Sequence, residues 1–198
     1  SDPALCGSRL LVFGGMRDTS TWCDEILAYD LEKRVWTRAG TMPFARARFG
    51  LAVLDGRVWI AGGCDASGRY AETWVFDPKT NAFTRKADLP QASDRLSLVA
   101  LDGSPWALGG EGPDGKASAS CWRYNLSENT WARMPSLARA RKNCTAARLG
   151  DRIMAVGGWD VVDDEKVFVS RIEVFDPQAR DWLESGRMET PRDGCRAA

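Results

Sequence analysis

Histidine is absent from this 198-residue sequence. That removes the commonest general base and the commonest metal ligand. An excess of charge of one sign is also missing: 27 lysines and arginines balance 27 aspartates and glutamates. Basic residues are scattered, so neither nucleic acid nor an anionic membrane surface is an expected partner. No stretch has the length and apolarity of a membrane span, and the first residues carry no secretory pattern. The six cysteines (Cys6, Cys23, Cys64, Cys121, Cys144 and Cys195) include no Cys-x-x-Cys pair. A structural zinc site and a disulfide scaffold are therefore both disfavoured. Reduced, buried thiols in a cytoplasmic protein are the expectation, with no cofactor and no metal. The sequence does not open on methionine and ends abruptly after Gly194-Cys195-Arg196-Ala197-Ala198, so it reads as a fragment.

What is present is a repeat. Diglycines stand at Gly14-Gly15, Gly62-Gly63, Gly109-Gly110 and Gly157-Gly158, at steps of 48, 47 and 48 residues. A period of about 40–50 residues is that of a propeller blade. Short apolar runs precede each diglycine, among them Leu10–Phe13 and Ile153–Val156, and each reads as a buried strand. Turn signals at Asp55-Gly56, Asp102-Gly103 and Gly150-Asp151 place a hairpin before three of them. After each diglycine comes a variable polar stretch, then an aromatic followed by an acid or amide: Tyr29-Asp30, Phe76-Asp77, Tyr124-Asn125 and Phe175-Asp176. Seven residues beyond each aromatic stands another, at Trp36, Phe83, Trp131 and Trp182. The unit thus holds four short strands. One such sheet cannot bury both faces alone, whereas sheets stacked around an axis cover each other. Nine tryptophans match the bulk needed between wedge-shaped sheets.

Diglycine, aromatic and tryptophan in this order resemble the kelch repeat, and the resemblance covers nearly the whole sequence. It is nearest to the kelch domains of BTB-kelch (kelch-like) proteins, through Ile172–Pro177 and Met188–Cys195. The implied fold is an all-β kelch propeller of four-stranded antiparallel blades, about four of them present, out of five to seven in a complete ring. The repeats fall at about 1–43, 44–90, 91–135 and 136–188, with a further strand or blade beginning in 189–198. On this reading the chain opens just before the second strand of its first blade. Three arrangements follow: missing blades outside the fragment, closure of a four-bladed ring by residues 194–198, or assembly with another chain.

Arginines recur between the last strand of one blade and the first of the next. They are Arg46 and Arg48, Arg95, Arg139 and Arg141, and Arg192. Counted back from the diglycines, Arg141 aligns with Arg46, and Arg95 with Arg48; Arg192 takes the Arg141 position if Cys195 aligns with Cys144. The resemblance implies that such arginines ring the channel mouth and that some grip acidic peptide motifs. Guanidinium forks suit carboxylates, although hydrogen bonding between blades would use the same residues. Arg46, Arg48, Arg95, Arg141 and Arg192 are therefore the candidate partner-binding residues. Trp159, in the long loop from Gly157 to Ser170, joins them as a candidate anchor.

Gly110–Lys116 has the glycine-to-lysine spacing of a P-loop, but Ala117 stands where serine or threonine belongs and a β repeat follows. Asn125-Leu126-Ser127 and Asn143-Cys144-Thr145 are sequons that arise from the repeat pattern. The expected function is a non-enzymatic protein-interaction module. In a BTB-kelch parent it would recruit substrates to a cullin ubiquitin ligase through a BTB segment not present here. The alternatives are a scaffold in a cytoskeletal or ciliary assembly and, less favoured, a kelch-fold enzyme.

Overall fold

A computed structural model describes residues 3–195. Its regular structure is all β, and its main sheets are four antiparallel blades of four strands each. Blade 1 comprises β1 (Ala4–Cys6), β2 (Arg9–Met16), β3 (Trp22–Asp30) and β4 (Val35–Thr41). Blade 2 starts with β5 (Gly50–Leu54) and β6 (Arg57–Ala61). A small hairpin follows, β7 (Cys64–Asp65) with β8 (Gly68–Arg69), and then β9 (Thr73–Asp77) and β10 (Ala82–Lys86) complete the blade. Blade 3 is β11 (Ser97–Leu101), β12 (Ser104–Leu108), β13 (Cys121–Asn125) and β14 (Thr130–Met134). Blade 4 starts with β15 (Thr145–Leu149) and β16 (Arg152–Val156). The long loop then folds into a hairpin, β17 (Trp159–Val162) with β18 (Glu165–Phe168), before β19 (Arg171–Asp176) and β20 (Asp181–Arg187).

The aromatic–acid pairs act locally. Tyr29 lies opposite Trp36, Phe76 opposite Phe83, Tyr124 opposite Trp131, and Phe175 opposite Trp182. The acid or amide after the first aromatic closes the turn between the strands. Asp30 Oδ1 accepts from the amides of Glu32 and Lys33 at 3.0 and 2.9 Å. Asp77, Asn125 and Asp176 accept in the same way from Lys79, Ser127 and Gln178. Such Asx turns set the register of the outer hairpin without long-range contacts.

Between blades the packing is aromatic against aromatic. Phe13 meets Phe76 edge-on with ring centres 5.3 Å apart, Trp59 meets Tyr124 at 4.9 Å, and Trp106 meets Phe175 at 5.0 Å. Each contact joins one blade to the next. The three buried apolar clusters likewise span blades 1–2, 2–3 and 3–4. The core is therefore a series of interfaces, as expected for wedges that cover one another.

The diglycines make the stacking close. The second glycine of each pair donates to a carbonyl of the loop leading into the next blade: Gly15 to Arg46, Gly63 to Ser93, Gly110 to Arg141 and Gly158 to Arg192, at 2.8–3.0 Å. A Cβ on Gly62 would sit 2.3 Å from the Ser93 carbonyl oxygen, and one on Gly157 would sit 2.6 Å from that of Arg192. Both glycines also have φ near +70°, so any side chain is excluded twice over.

Blade 1 differs from the expectation at its start. Ala4–Cys6 already forms a first strand, paired with β2 through Ala4 opposite Leu11. With four strands of its own, blade 1 needs none from residues 194–198. Gly194 instead donates to the Asn143 carbonyl at 3.1 Å, as the leading loops of earlier blades do; residues 196–198 lie outside the described residues.

Candidate partner-binding surface

One backbone chain organises the site. Arg48, Arg95, Asn143 and Gly194 hold equivalent places, and all are left-handed, with φ of 58°, 54°, 59° and 60°. Each donates its amide to the carbonyl of the one before: Arg95 to Arg48 at 2.7 Å, Asn143 to Arg95 at 2.8 Å, and Gly194 to Asn143. This is the place where the first strands of successive blades begin. The residue before each also repeats. Ala47 bridges Cys64, Asp94 bridges Glu111 and Lys142 bridges Trp159, always 17 residues apart.

These two rows bring a charged cluster together across blades 2, 3 and 4. Arg69, at the end of β8, donates to Asp94 at 2.7 Å and to Glu111 at 2.5 Å. Arg95 pairs with Glu111, which also holds Lys142 Nζ at 3.2 Å. Arg48 lies 4.0 Å from Asp94. Asp94, Glu111 and Lys142 are buried, whereas the Arg48 side chain keeps 43% of its surface in solvent. Four cations thus meet two carboxylates, and positive charge is left over. Buried carboxylates of this kind persist only when paired. The leftover guanidinium donors are forks of the geometry that binds a further carboxylate in bidentate fashion. Cys64 donates its thiol to Asp94 at 3.3 Å, and burial, reinforced by that carboxylate, pushes the thiol up to about 11. It stays protonated at neutral pH and serves as a donor, not a nucleophile.

The structure divides the predicted residues. Arg48 and Arg95 lie in the cluster. Arg192 is exposed at its surface position and makes no ion pair among the described residues. Arg46 and Arg141 require correction, because both are buried. Arg46 pairs with Glu72 at 2.5 Å and stacks on Tyr70 and Phe44, 3.5 and 4.5 Å from the ring centres. Arg141 is wholly sealed at 0% exposure. It pairs with Glu173 at 2.5 Å and donates to the carbonyls of Gly157 and Arg171. Guanidiniums at this place face carboxylates of their own blade and are withdrawn from the surface. Trp159 is not an exposed anchor either: it is half-buried, with Lys142 Nζ 4.2 Å and Lys166 Nζ 4.6 Å from its ring centre. Cations over an indole face are favourable, so the ring organises lysines.

Sequence reasoning missed Arg69, Asp94, Glu111 and Lys142. Asp94 and Lys142 were within reach, since each sits one place before a residue of the Arg48 row. Arg69 and Glu111 come from stretches that vary between repeats, and only the fold brings them to the axis. The P-loop-like segment is a turn, closed by Gly112 N to Lys116 O at 3.0 Å, and strand β13 follows it.

Comparison with known proteins agrees with this architecture. The family model described as the KLHDC2/KLHL20/DRC7 Kelch-repeats domain matches residues 3–158, and the Kelch motif matches residues 140–189. The F-box/kelch-repeat protein At1g26930 of Arabidopsis thaliana is 26% identical over 187 residues, covering 94% of this chain and 32% of that protein. Kelch-like protein 15 of Danio rerio is 35% identical over 71 residues, covering 33% of this chain and 12% of that protein. The chain spans about a third or less of the length of such relatives. A solved structure titled "Structure of YjhT" superposes with a TM-score of 0.86 at 15% identity, covering 98% of this chain and 72% of that one, a likeness of fold. The chain carries the unit of diglycine and paired aromatics in four successive blades, matched along most of its length by the family's model, and so belongs to the kelch-repeat family.

Proposed function

We propose that this domain is a protein-interaction module that captures an acidic peptide segment of its partner at the cluster of Arg48, Arg69 and Arg95. The observation that carries this reading is the charge imbalance. Two buried carboxylates, Asp94 and Glu111, hold the guanidiniums in place but leave positive charge uncompensated. A run of backbone hydrogen bonds beneath them, from Arg48 through Arg95 and Asn143 to Gly194, holds the loops in place, so that less ordering is needed on binding. One relative's name joins kelch repeats to a BTB domain, another's to an F-box. By the BTB-kelch resemblance, the parent protein would present the captured partner to a cullin ubiquitin ligase. Six free thiols suit a cytoplasmic setting.

The test is binding of a labelled glutamate-rich peptide, followed by fluorescence anisotropy at rising salt. Replacing Arg48 and Arg95 by alanine is expected to weaken capture by about tenfold or more, with unchanged folding. Wild-type affinity is expected to fall as salt screens the exposed charges. Capture that ignores both salt and these arginines refutes the reading.

A further inference from the structure

A second basic surface lies on blade 4 and shares no residue with the cluster above. It is a groove of about 410 Å³ whose lining includes Arg139, Val167, Phe168, Ser170, Arg171 and Arg187. The loop leading into blade 4 supplies Arg139, β18 supplies Val167 and Phe168, and the ends of β19 and β20 supply the other arginines. Three guanidiniums here are served by one carboxylate: Glu184 holds Arg171 at 3.2 Å and Arg187 at 3.0 Å. Arg139 is exposed and makes no ion pair among the described residues. Arg171 Nε is buried with no hydrogen-bond acceptor. An orphaned donor inside an under-neutralised arginine group is costly unless something accepts from it.

The groove also has a backbone wall. β18 pairs only with β17 in a two-stranded sheet, so its other edge is free. All four of its residues are exposed, including Val167 and Phe168. A free strand edge beside apolar side chains is the usual ground for strand addition by an extended peptide.

We infer that this groove docks an extended acidic segment of a partner protein. The segment's backbone pairs with the free edge of β18, its carboxylates lie on Arg139 and Arg187, and an apolar side chain lies beside Val167. Alternation along a strand sends successive side chains to opposite faces, so a peptide of alternating acidic and aliphatic residues fits both needs. This inference stands independently of the peptide-capture cluster at Arg48 and Arg95.

The probe is a fluorescein-labelled decapeptide of alternating glutamate and valine, titrated into the whole chain. The background is the Arg48→Ala/Arg95→Ala variant, so that the first cluster cannot report. Arg139→Glu/Arg187→Glu in that background is expected to weaken binding by about tenfold or more. In the wild-type chain, the peptide is expected to slow hydrogen exchange of the amides of residues 165–168. A peptide with proline at its centre, which cannot complete the strand, is expected to bind more weakly. Unchanged binding in the Arg139→Glu/Arg187→Glu variant overturns the proposal. So does loss of all binding in the Arg48→Ala/Arg95→Ala background, which would assign the peptide to the other cluster. Absence of protection at 165–168 overturns it without any variant at all.

Discussion

Among single residues, the arginines of the leading loops look alike in sequence and differ in consequence. Arg141 is sealed against Glu173, whose second oxygen also accepts from the Ala138 amide at 2.6 Å. Arg141→Ala leaves that carboxylate buried and unpaired, and is expected to cost about 3–5 kcal/mol. Arg141→Met with Glu173→Gln is expected to recover part of the loss, because the charge goes while an acceptor for Ala138 remains. Arg48→Ala, at an exposed and loosely paired position, is expected to cost less than about 1 kcal/mol. Urea unfolding of the three variants checks this order. The thiols supply a pH prediction. Burial pushes Cys121 up to about 12 and Cys144 up to about 11, from an ordinary value of 9.0. A raised folded value means that the stabilisation is complete below pH 9 and is lost progressively as pH rises from 9 through the folded values of about 11 and 12. Unfolding midpoints measured against pH are expected to decline over that window. A Cys121→Ala/Cys144→Ala variant, weaker at neutral pH, is expected to decline less steeply.

For the elements, what matters is how one blade seats on the next. The diglycine is a backbone device: its amide reaches the next blade's carbonyl, and its missing side chains let it approach. Gly62→Ala forces a methyl against the Ser93 carbonyl at positive φ, with an expected cost of about 2–4 kcal/mol from strain and overpacking together. Gly7→Ala also has positive φ, at +63°, but meets open space, and is expected to cost about 1 kcal/mol from backbone strain alone. Thermal or denaturant midpoints separate the two. The repeat was legible here because its devices are local or periodic. Asx turns act over three residues, aromatic pairs face each other across one turn, and the diglycine recurs with the blade. The first strand was not legible. Ala4–Cys6 is three residues long, too short to show the alternation that marks a strand, and only its pairing with Arg9–Leu11 reveals it.

The whole molecule exposes two blade faces of a kind that is covered elsewhere. Trp36 is 55% exposed, whereas its equivalents Trp131 and Trp182, each covered by a preceding blade, are at 9% and 7%. Leu149 on blade 4 is likewise 55% exposed, against 1% for Leu101 on blade 3. Leu5 and Leu27 extend the apolar face of blade 1. Faces of this size seek cover, so the isolated chain is expected to self-associate through them. Trp36→Lys/Leu149→Lys is expected to shift the sedimentation profile toward monomer without lowering the unfolding midpoint. A monomeric wild-type chain at high concentration would refute this.

The amino-acid sequence alone determined the blade: its period, its four-strand plan, its turns and the residues that fill the space between sheets. These follow from local conformational preferences and from burial, and both are written in neighbouring residues. The tertiary structure alone decided which arginines are free. Arg46 and Arg48 are two residues apart, yet one is locked against Glu72 and the other borders solvent. Their roles depend on a left-handed backbone and on carboxylates 26 and 46 positions along the chain, Glu72 for Arg46 and Asp94 for Arg48. Electrostatic pairing acts through space, and only the stacked blades set those distances.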